Sequence, residues 1–362
     1  MDLKRGAVES YLQEMTGEEA KLLSMSTLGD TTPTTEDVKG FGYGSPVLIE
    51  YESDGEKKSA VISSMRVQDG FGHDHFSDRA QVLLWQHSAF DNLPKHAKSI
   101  DVGYFTEKNE LRSCGSAVEF FLLMEKIEGK EYFFDLERVK EGGATDLDLA
   151  RAEVLSSYLA EIHSAKKDSP ALYQRKIRDT VGHGECIMGI LDDYPVNPTF
   201  LEPNELCKIE KKCVEWRWNL RKKTHRLCQA HGDFHPWNVM FREGTDFTVL
   251  DRSRGEWGEA ADDITAMTTN YIFYSVQKSM KLEGGLKGLF ERFFDNYLEK
   301  TGDEELLKVI APFFAFRMVV VASPTWYPLL SDEVRRALFN FAENLLDEEE
   351  FDYKKVNSYL KR

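Results

Sequence analysis

An α+β fold in two lobes is what the order of elements in this chain predicts. Strand patterns come early, helical periodicity dominates late, and one hairpin near residue 240 separates the two halves of the helical region. An alternating βαβ chain would interleave the two patterns from end to end, and this one does not. At 362 residues the chain exceeds one ordinary domain and can bury a substantial core. The short linker Glu125-Lys126-Ile127-Glu128-Gly129 marks the boundary, giving a first lobe over 1–125, a second over 126–362, and a hinge near 124–129. No internal repeat and no low-complexity segment is visible.

The elements follow in order. Residues 8–28 read as helical, with Val8, Tyr11, Leu12, Met15, Leu22 and Leu23 roughly on one face. Asp30-Thr31-Thr32-Pro33-Thr34 is a connector. Gly40-Phe41-Gly42-Tyr43-Gly44-Ser45-Pro46 then runs into the strand Val47–Tyr51. Asp54-Gly55 closes a hairpin whose return strand is Ser59–Met65. Gly70–His75 is a loop, and Ser77 is placed to cap a helix over Asp78–Phe90. Ile100–Phe105 reads as a strand, and Val118–Met124, apolar almost throughout, as a central one. Beyond the linker, Thr145 or Asp146 can cap a helix through Leu155, Leu159 and Ile162 to His163. Residues 203–227 form a charged helix bearing Trp216 and Trp218. Ala261–Gln277, Leu286–Lys300, Glu304–Ala322 and Ser331–Leu346 all carry helical periodicity.

Bulk properties exclude some classes. The formal net charge of −16 argues against a nucleic-acid binder, because phosphate backbones need clustered Lys and Arg. The longest apolar run, Ile310 to Val321, is too short to span a bilayer and is interrupted by Arg317. The start of the chain leads into an amphipathic pattern and not an apolar signal core, so a soluble cytoplasmic protein is expected. Cys114, Cys186, Cys207, Cys213 and Cys228 are odd in number without paired metal spacing and read as reduced thiols. His73 and His75 flank Asp74 but lack a further ligand nearby and read as solvated loop residues.

Chemistry concentrates in His231-Gly232-Asp233-Phe234-His235-Pro236-Trp237-Asn238. Val239-Met240-Phe241 and Phe247-Thr248-Val249-Leu250 follow as two short strands joined by a turn over 242–246. Such a hairpin returns Asp251 beside Asn238 and Asp233. Three oxygen-bearing side chains converging on one spot suit a hard divalent cation and a base for phosphate transfer.

These residues, with Arg254 and Asp263-Ile264 behind them, resemble the aminoglycoside phosphotransferase and choline kinase group, which shares the protein-kinase-like fold. The matching pattern is His-Gly-Asp, an Asn five residues after the Asp, and an Asp at the end of the next strand. The resemblance implies a nucleotide-binding first lobe, an acceptor-binding second lobe, ATP and Mg²⁺ as cofactors, and transfer to a hydroxyl of a small molecule. By it Asp233 is the catalytic base and Asn238 and Asp251 hold magnesium. Gly42, Gly44 and Ser45 lie in the glycine-rich turn, Arg66 is the cation nearest the nucleotide phosphates, and the backbone at Glu125 and Ile127 meets the adenine edge. His231 braces the loop, Arg254 steadies the loop carrying Asp251, and Asp263 holds that loop from the following helix. Glu256, Glu259 and Asp262 are placed to face a cationic acceptor, although surface solvation accounts for them equally well.

Two departures stand against the family pattern. The strand Val61-Ile62-Ser63-Ser64-Met65 lacks the usual phosphate-binding lysine, with Ser63 or Ser64 near the expected place. Asp78 is the nearest helix acid in place of a glutamate. Trp237 occupies a position commonly small, and packing beneath the loop accounts for it best. The missing lysine leaves open a nucleotide-binding pseudokinase with a regulatory or scaffolding role. Zinc held by His231 and His235 is a further alternative, weakened because Gly232 and Pro236 deny the pair a helical spacing.

Overall fold

The structure is a computed structural model that describes residues 3–17, 20–28, 44–65, 72–90, 92 and 94–361. It divides into two compact units, Met1–Met124 and Glu125–Arg362. The division falls one residue before the boundary drawn from sequence.

In the first unit, helix α1 (Arg5–Thr16) is followed by strand β1 (Lys21–Thr27), β2 (Gly44–Ser53) and β3 (Glu56–Met65), an antiparallel sheet in the order β1-β2-β3. The sequence expectation of one helix over 8–28 is therefore half right. Gly17 adopts a left-handed conformation (φ 70°) and caps the helix by donating its N–H to Gln13 O, which ends α1. Leu22 continues the apolar pattern from a strand instead, and it joins Val8, Leu12, Ile49 and Tyr51 in a small core. The β2–β3 hairpin turns at Asp54 (φ 57°) and Gly55 (φ 74°), the conformation that two-residue hairpins favour.

Helix α2 (Phe76–Phe90) begins one residue before Ser77, so Ser77 is not its cap. The Asp78 carboxylate instead accepts the N–H of His75 at 2.7 Å. Of the expected strand Ile100–Phe105, only β4 (Gly103–Phe105) forms, paired with β5 (Leu111–Ser113). Val118–Met124 is not a central strand among the described residues. It runs irregularly, with Val118 99% and Phe121 91% exposed. Apolar composition supplies strand propensity, but a strand exists only where a neighbouring edge takes its N–H and C=O groups, and no such ladder forms here.

In the second unit, strand β6 (Lys130–Glu131) precedes helices α3 (Phe133–Gly142), α4 (Asp146–Ser164), α5 (Pro170–Gly182), α6 (Ile187–Asp192) and α7 (Glu205–Leu220). Thr145 caps α4 in a reciprocal capping box with Asp148, as its sequence suggested. Strands β7 (Cys228–Gln229), β8 (Val239–Phe241), β9 (Phe247–Val249) and β10 (Trp257–Gly258) follow, forming a β6-β8-β9 sheet and a β7-β10 pair. The predicted hairpin is the β8–β9 pair, with Val239 opposite Val249.

Helices α8 (Ala260–Ser279), α9 (Gly284–Thr301), α10 (Ala311–Val321), α11 (Asp332–Leu346) and α12 (Val356–Tyr359) complete the unit. Helix α8 is buried along most of its length, packed by α3, α4, α9, α10 and α11. The single helix expected over Glu304–Ala322 is interrupted. Asp303 caps a short 3₁₀ turn (Glu304–Lys308), and Pro312, which lacks an N–H, sits in the first turn of a separate α10. No helix among the described residues is long and apolar enough to cross a membrane.

Candidate functional site

The loop bearing Asp233 is fastened at both ends. As the chain leaves β7, Ala230 donates its N–H to Glu256 O at 3.0 Å and accepts two bonds from the Arg252 guanidinium at 3.0 and 2.8 Å. The next two backbone N–H groups, of His231 and Gly232, each donate to one oxygen of Asp263 at 2.7 Å. Asp263 is wholly buried near the start of α8, 3.1 Å from His163 Nε2, and His163 Nδ1 lies 2.8 Å from Tyr297 Oη. Burial alone would raise the Asp263 carboxyl, but the hydrogen bonds with His163 and the His231 backbone outweigh it and hold the group below its ordinary value. Gly232 is required where it stands: its φ is +88°, and a Cβ there would meet Arg254 Cβ at 3.1 Å.

His231 sits within this loop and bonds to its backbone. Its Nδ1 accepts the N–H of Asp233 at 3.3 Å while its ring also bonds the Leu250 backbone. Burial depresses its pKa, which keeps the ring neutral. With both nitrogens engaged, His231 has no lone pair left for zinc. Among the described residues no three His, Cys, Asp or Glu side chains are grouped to hold a metal ion.

Asp233 itself sits in a cationic setting. Arg317 Nη1 donates to Asp233 Oδ1 at 2.6 Å, Arg254 Nη2 lies 3.9 Å from the same oxygen, and His235 Nε2 lies 3.5 Å from Oδ2. Burial would raise this carboxyl. The hydrogen bond with His235 and the charges of Arg317 and Arg254 overcome it and hold the group far below the usual carboxylate range. Asp233 is therefore ionised at any physiological pH. Arg317 is the functional residue that sequence reasoning missed. Its signal was present: a lone guanidinium in the apolar helix Ala311–Val321 must find a carboxylate or leave a charge buried.

Asn238 closes a short 3₁₀ turn, Pro236–Asn238, and its Nδ2 donates to Asp233 O at 3.0 Å. With the nitrogen committed, Oδ1 is the atom left to meet a ligand. Leu250 N–H donates to Asn238 O at 2.8 Å, continuing the β8–β9 ladder by one step and delivering Asp251 next. Asp251 is left-handed (φ 54°) and exposed. One of its oxygens accepts the Ser253 N–H at 3.2 Å, and it has no cationic partner among the described residues. Its carboxylate makes no hydrogen bond with Asp233 or Asn238. An amide oxygen and an unpaired carboxylate are a donor set that fits a hard oxygen-seeking cation.

Several expected roles shift. Asp263 holds the His231–Gly232 backbone and not the loop carrying Asp251, because that N–H pair lies opposite the start of α8. Arg254 directs its guanidinium toward Asp233 and over the Phe316 ring at 5.2 Å, while Arg252 and the Lys176 ammonium, bonded to Arg254 O, fasten the loop in its place. Glu259 is not turned to an acceptor. It is buried against Arg226 at 2.7 Å and Tyr173 at 2.8 Å, and Asp262 is paired with Arg317 at 2.7 Å. Glu256 is exposed. Trp237 packs, stacked on Phe133 with centroids 5.1 Å apart.

In the first unit, Gly44 and Ser45 stand opposite Met65 and Ser64 in the β2–β3 ladder. Gly42 and Arg66 lie outside the described residues. Glu125 and Ile127 fall in irregular chain at the start of the second unit, Glu125 exposed and Ile127 half-buried.

No protein-family model and no curated protein matches this chain. Solved structures similar to it include an amicoumacin kinase in complex with AMP-PNP, Ca²⁺ and Ami, at 14% identity and a TM-score of 0.40 over 86% of this chain and 89% of that one. A spectinomycin phosphotransferase with ADP and spectinomycin matches at 12% identity and a TM-score of 0.34, covering 98% and 97% of the two chains. A glucosamine kinase matches at 15% identity and a TM-score of 0.38 over 60% of this chain, and the match spans only 56% of that enzyme's length.

Proposed function

We propose that this chain is an ATP-dependent phosphotransferase that moves the γ-phosphate to a hydroxyl of a small molecule, of aminoglycoside, choline or sugar type. The observation that carries the reading is Asp233. It is an ion-paired carboxylate in a loop fastened on both sides, with an amide oxygen at Asn238 and an exposed, unpaired carboxylate at Asp251 supplied by the adjoining hairpin.

In this reading Asp233 accepts a hydrogen bond from the acceptor hydroxyl and aligns it for in-line attack. Phosphoryl transfer passes through a loose transition state, so alignment of the hydroxyl by this carboxylate is the larger part of its task. Asn238 and Asp251 would hold Mg²⁺, which would supply positive charge to offset that of the nucleotide phosphates. Asp263, His231 and Arg317 do no chemistry here. They hold the Asp233 loop so that little reorganisation accompanies transfer.

The test is a screen of aminoglycosides, amino alcohols and sugars for acceptor-dependent ADP release with Mg·ATP. Turnover with one class identifies the acceptor. The β3 strand, with Ser63 and Ser64 where a lysine was expected, favours a second reading, a nucleotide-binding pseudokinase. ATP binding without transfer to any compound and without slow hydrolysis would establish that reading and remove the first.

A further inference from the structure

We infer that Arg317 is a positioning residue for the proposed transfer, selecting which oxygen of Asp233 meets the acceptor; this rests on the phosphotransferase reading. Three contacts define the device. Nη1 of Arg317 occupies Asp233 Oδ1 at 2.6 Å, Nη2 donates to the backbone oxygen of Gly232 at 3.3 Å, and the same Nη2 donates to Asp262 Oδ1 at 2.7 Å. Arg317 therefore grips both the side chain of the candidate base and the peptide just before it, and Asp262 fixes the guanidinium from α8.

The grip has a counterpart. Asp263, adjacent to Asp262 on α8, takes the N–H groups of His231 and Gly232. Gly232 is thus held by its N–H from one α8 carboxylate and by its C=O through a guanidinium that the neighbouring carboxylate orients. Arg317 is 7% exposed, which removes water as a competitor for these bonds. Oδ1 is also the oxygen nearest Arg254, at 3.9 Å, so both guanidiniums crowd one side of the carboxylate. Oδ2 has only the longer contact with His235 Nε2 at 3.5 Å, and Oδ2 is the atom that receives the acceptor hydroxyl.

A planar fork making three contacts cannot be replaced by an ammonium without losing orientation. The experiment measures Mg·ATP hydrolysis, with water as acceptor and ADP release as signal, in the wild type, Arg317→Lys and Arg317→Ala, alongside thermal unfolding. Arg317→Lys keeps the charge and is expected to fold, with kcat lowered about tenfold and KM for Mg·ATP moved by less than about twofold. Arg317→Ala is expected to lose about 10²-fold in kcat and to regain part of it, saturably, with guanidinium ion at low millimolar concentration but not with methylammonium. Guanidinium rescue is a response that a merely structural residue would not give.

Undiminished kcat in Arg317→Lys, or a folded Arg317→Ala with no rescue, would overturn the inference while leaving the phosphotransferase reading standing. Should Arg317→Ala fail to fold, Arg317→Lys alone decides. A wild type that neither transfers nor hydrolyses removes the reading and the inference together, so the two failures are told apart by the wild-type control.

Discussion

The turn that carries Asp251 and the loop that carries Asp233 are built to opposite specifications, although both supply a carboxylate to the same proposed chemistry. Asp233 directly follows two fastened N–H groups and a gripped carbonyl, and its side chain makes an ion pair at 2.6 Å. Asp251 stands exposed in a left-handed conformation with a single backbone bond to one oxygen. The difference matches what the proposed chemistry would ask of each. A base that aligns a hydroxyl loses rate if displaced by a fraction of an ångström, so its surroundings are over-determined. A metal ligand must have a lone pair free until the cation arrives, so an ion-pair partner would compete with function.

The largest expected effect comes from removing the pinned group. Asp233→Asn should lower kcat by about 10²–10⁴-fold with nucleotide binding nearly intact, read by ADP release and by ATP titration; undiminished turnover would refute the assignment. Removing the pin is next. Asp263→Ala strands two backbone N–H groups and His163, and should cost about 3–5 kcal/mol in urea unfolding. Gly232→Ala, strained at φ +88° and crowded by Arg254, should cost about 1–3 kcal/mol. At the open turn the pattern inverts. Asp251→Asn should change stability by less than about 0.5 kcal/mol, yet raise the Mg²⁺ needed for half-maximal rate by at least about tenfold. A large stability loss there would erase the contrast between the two segments.

The smallest effect is a pH dependence confined to the pinned loop. His231 is held below its ordinary 6.5, so the unfolded chain takes up a proton that the folded one refuses. Its contribution to stability is present above pH 6.5 and declines as pH falls below it. Asp233 and Asp263 are held below their ordinary 3.8, so theirs persists until the pH drops under that value and is then lost. Asp262, raised by burial against the pull of Arg317 and Arg254, works in the opposite sense and recovers part of that loss. Denaturant midpoints measured from pH 8 to 5 should therefore fall gently, and a flat profile across that range would contradict the His231 assignment.

Local signals were legible in the sequence and distant pairings were not. The β8–β9 hairpin and the Thr145 cap each depend on residues within a few positions of one another. The fastening of Asp233 depends on Arg317, 84 residues away, and on Asp263, which holds its backbone partners from the next helix. Sequence spacing has no access to that distance. Apolarity misled where it was unopposed. Val118–Met124 and Ala311–Val321 are both rich in large apolar residues, yet the first is exposed and irregular and the second is a buried helix. The buried one accommodates its charge, Arg317, because the carboxylates of Asp233 and Asp262 pair with it.

The stacking of Trp237 has a practical consequence. Its indole lies against Phe133 at 5.1 Å and near His235 at 5.8 Å, one residue before Asn238 in the same 3₁₀ turn. Any cation that draws on the Asn238 oxygen shifts the electric field across that ring. Intrinsic fluorescence can therefore report occupancy of the site directly. Of the six tryptophans in the chain, Trp237 alone adjoins a proposed ligand, so a Trp237→Phe control isolates its emission from the rest.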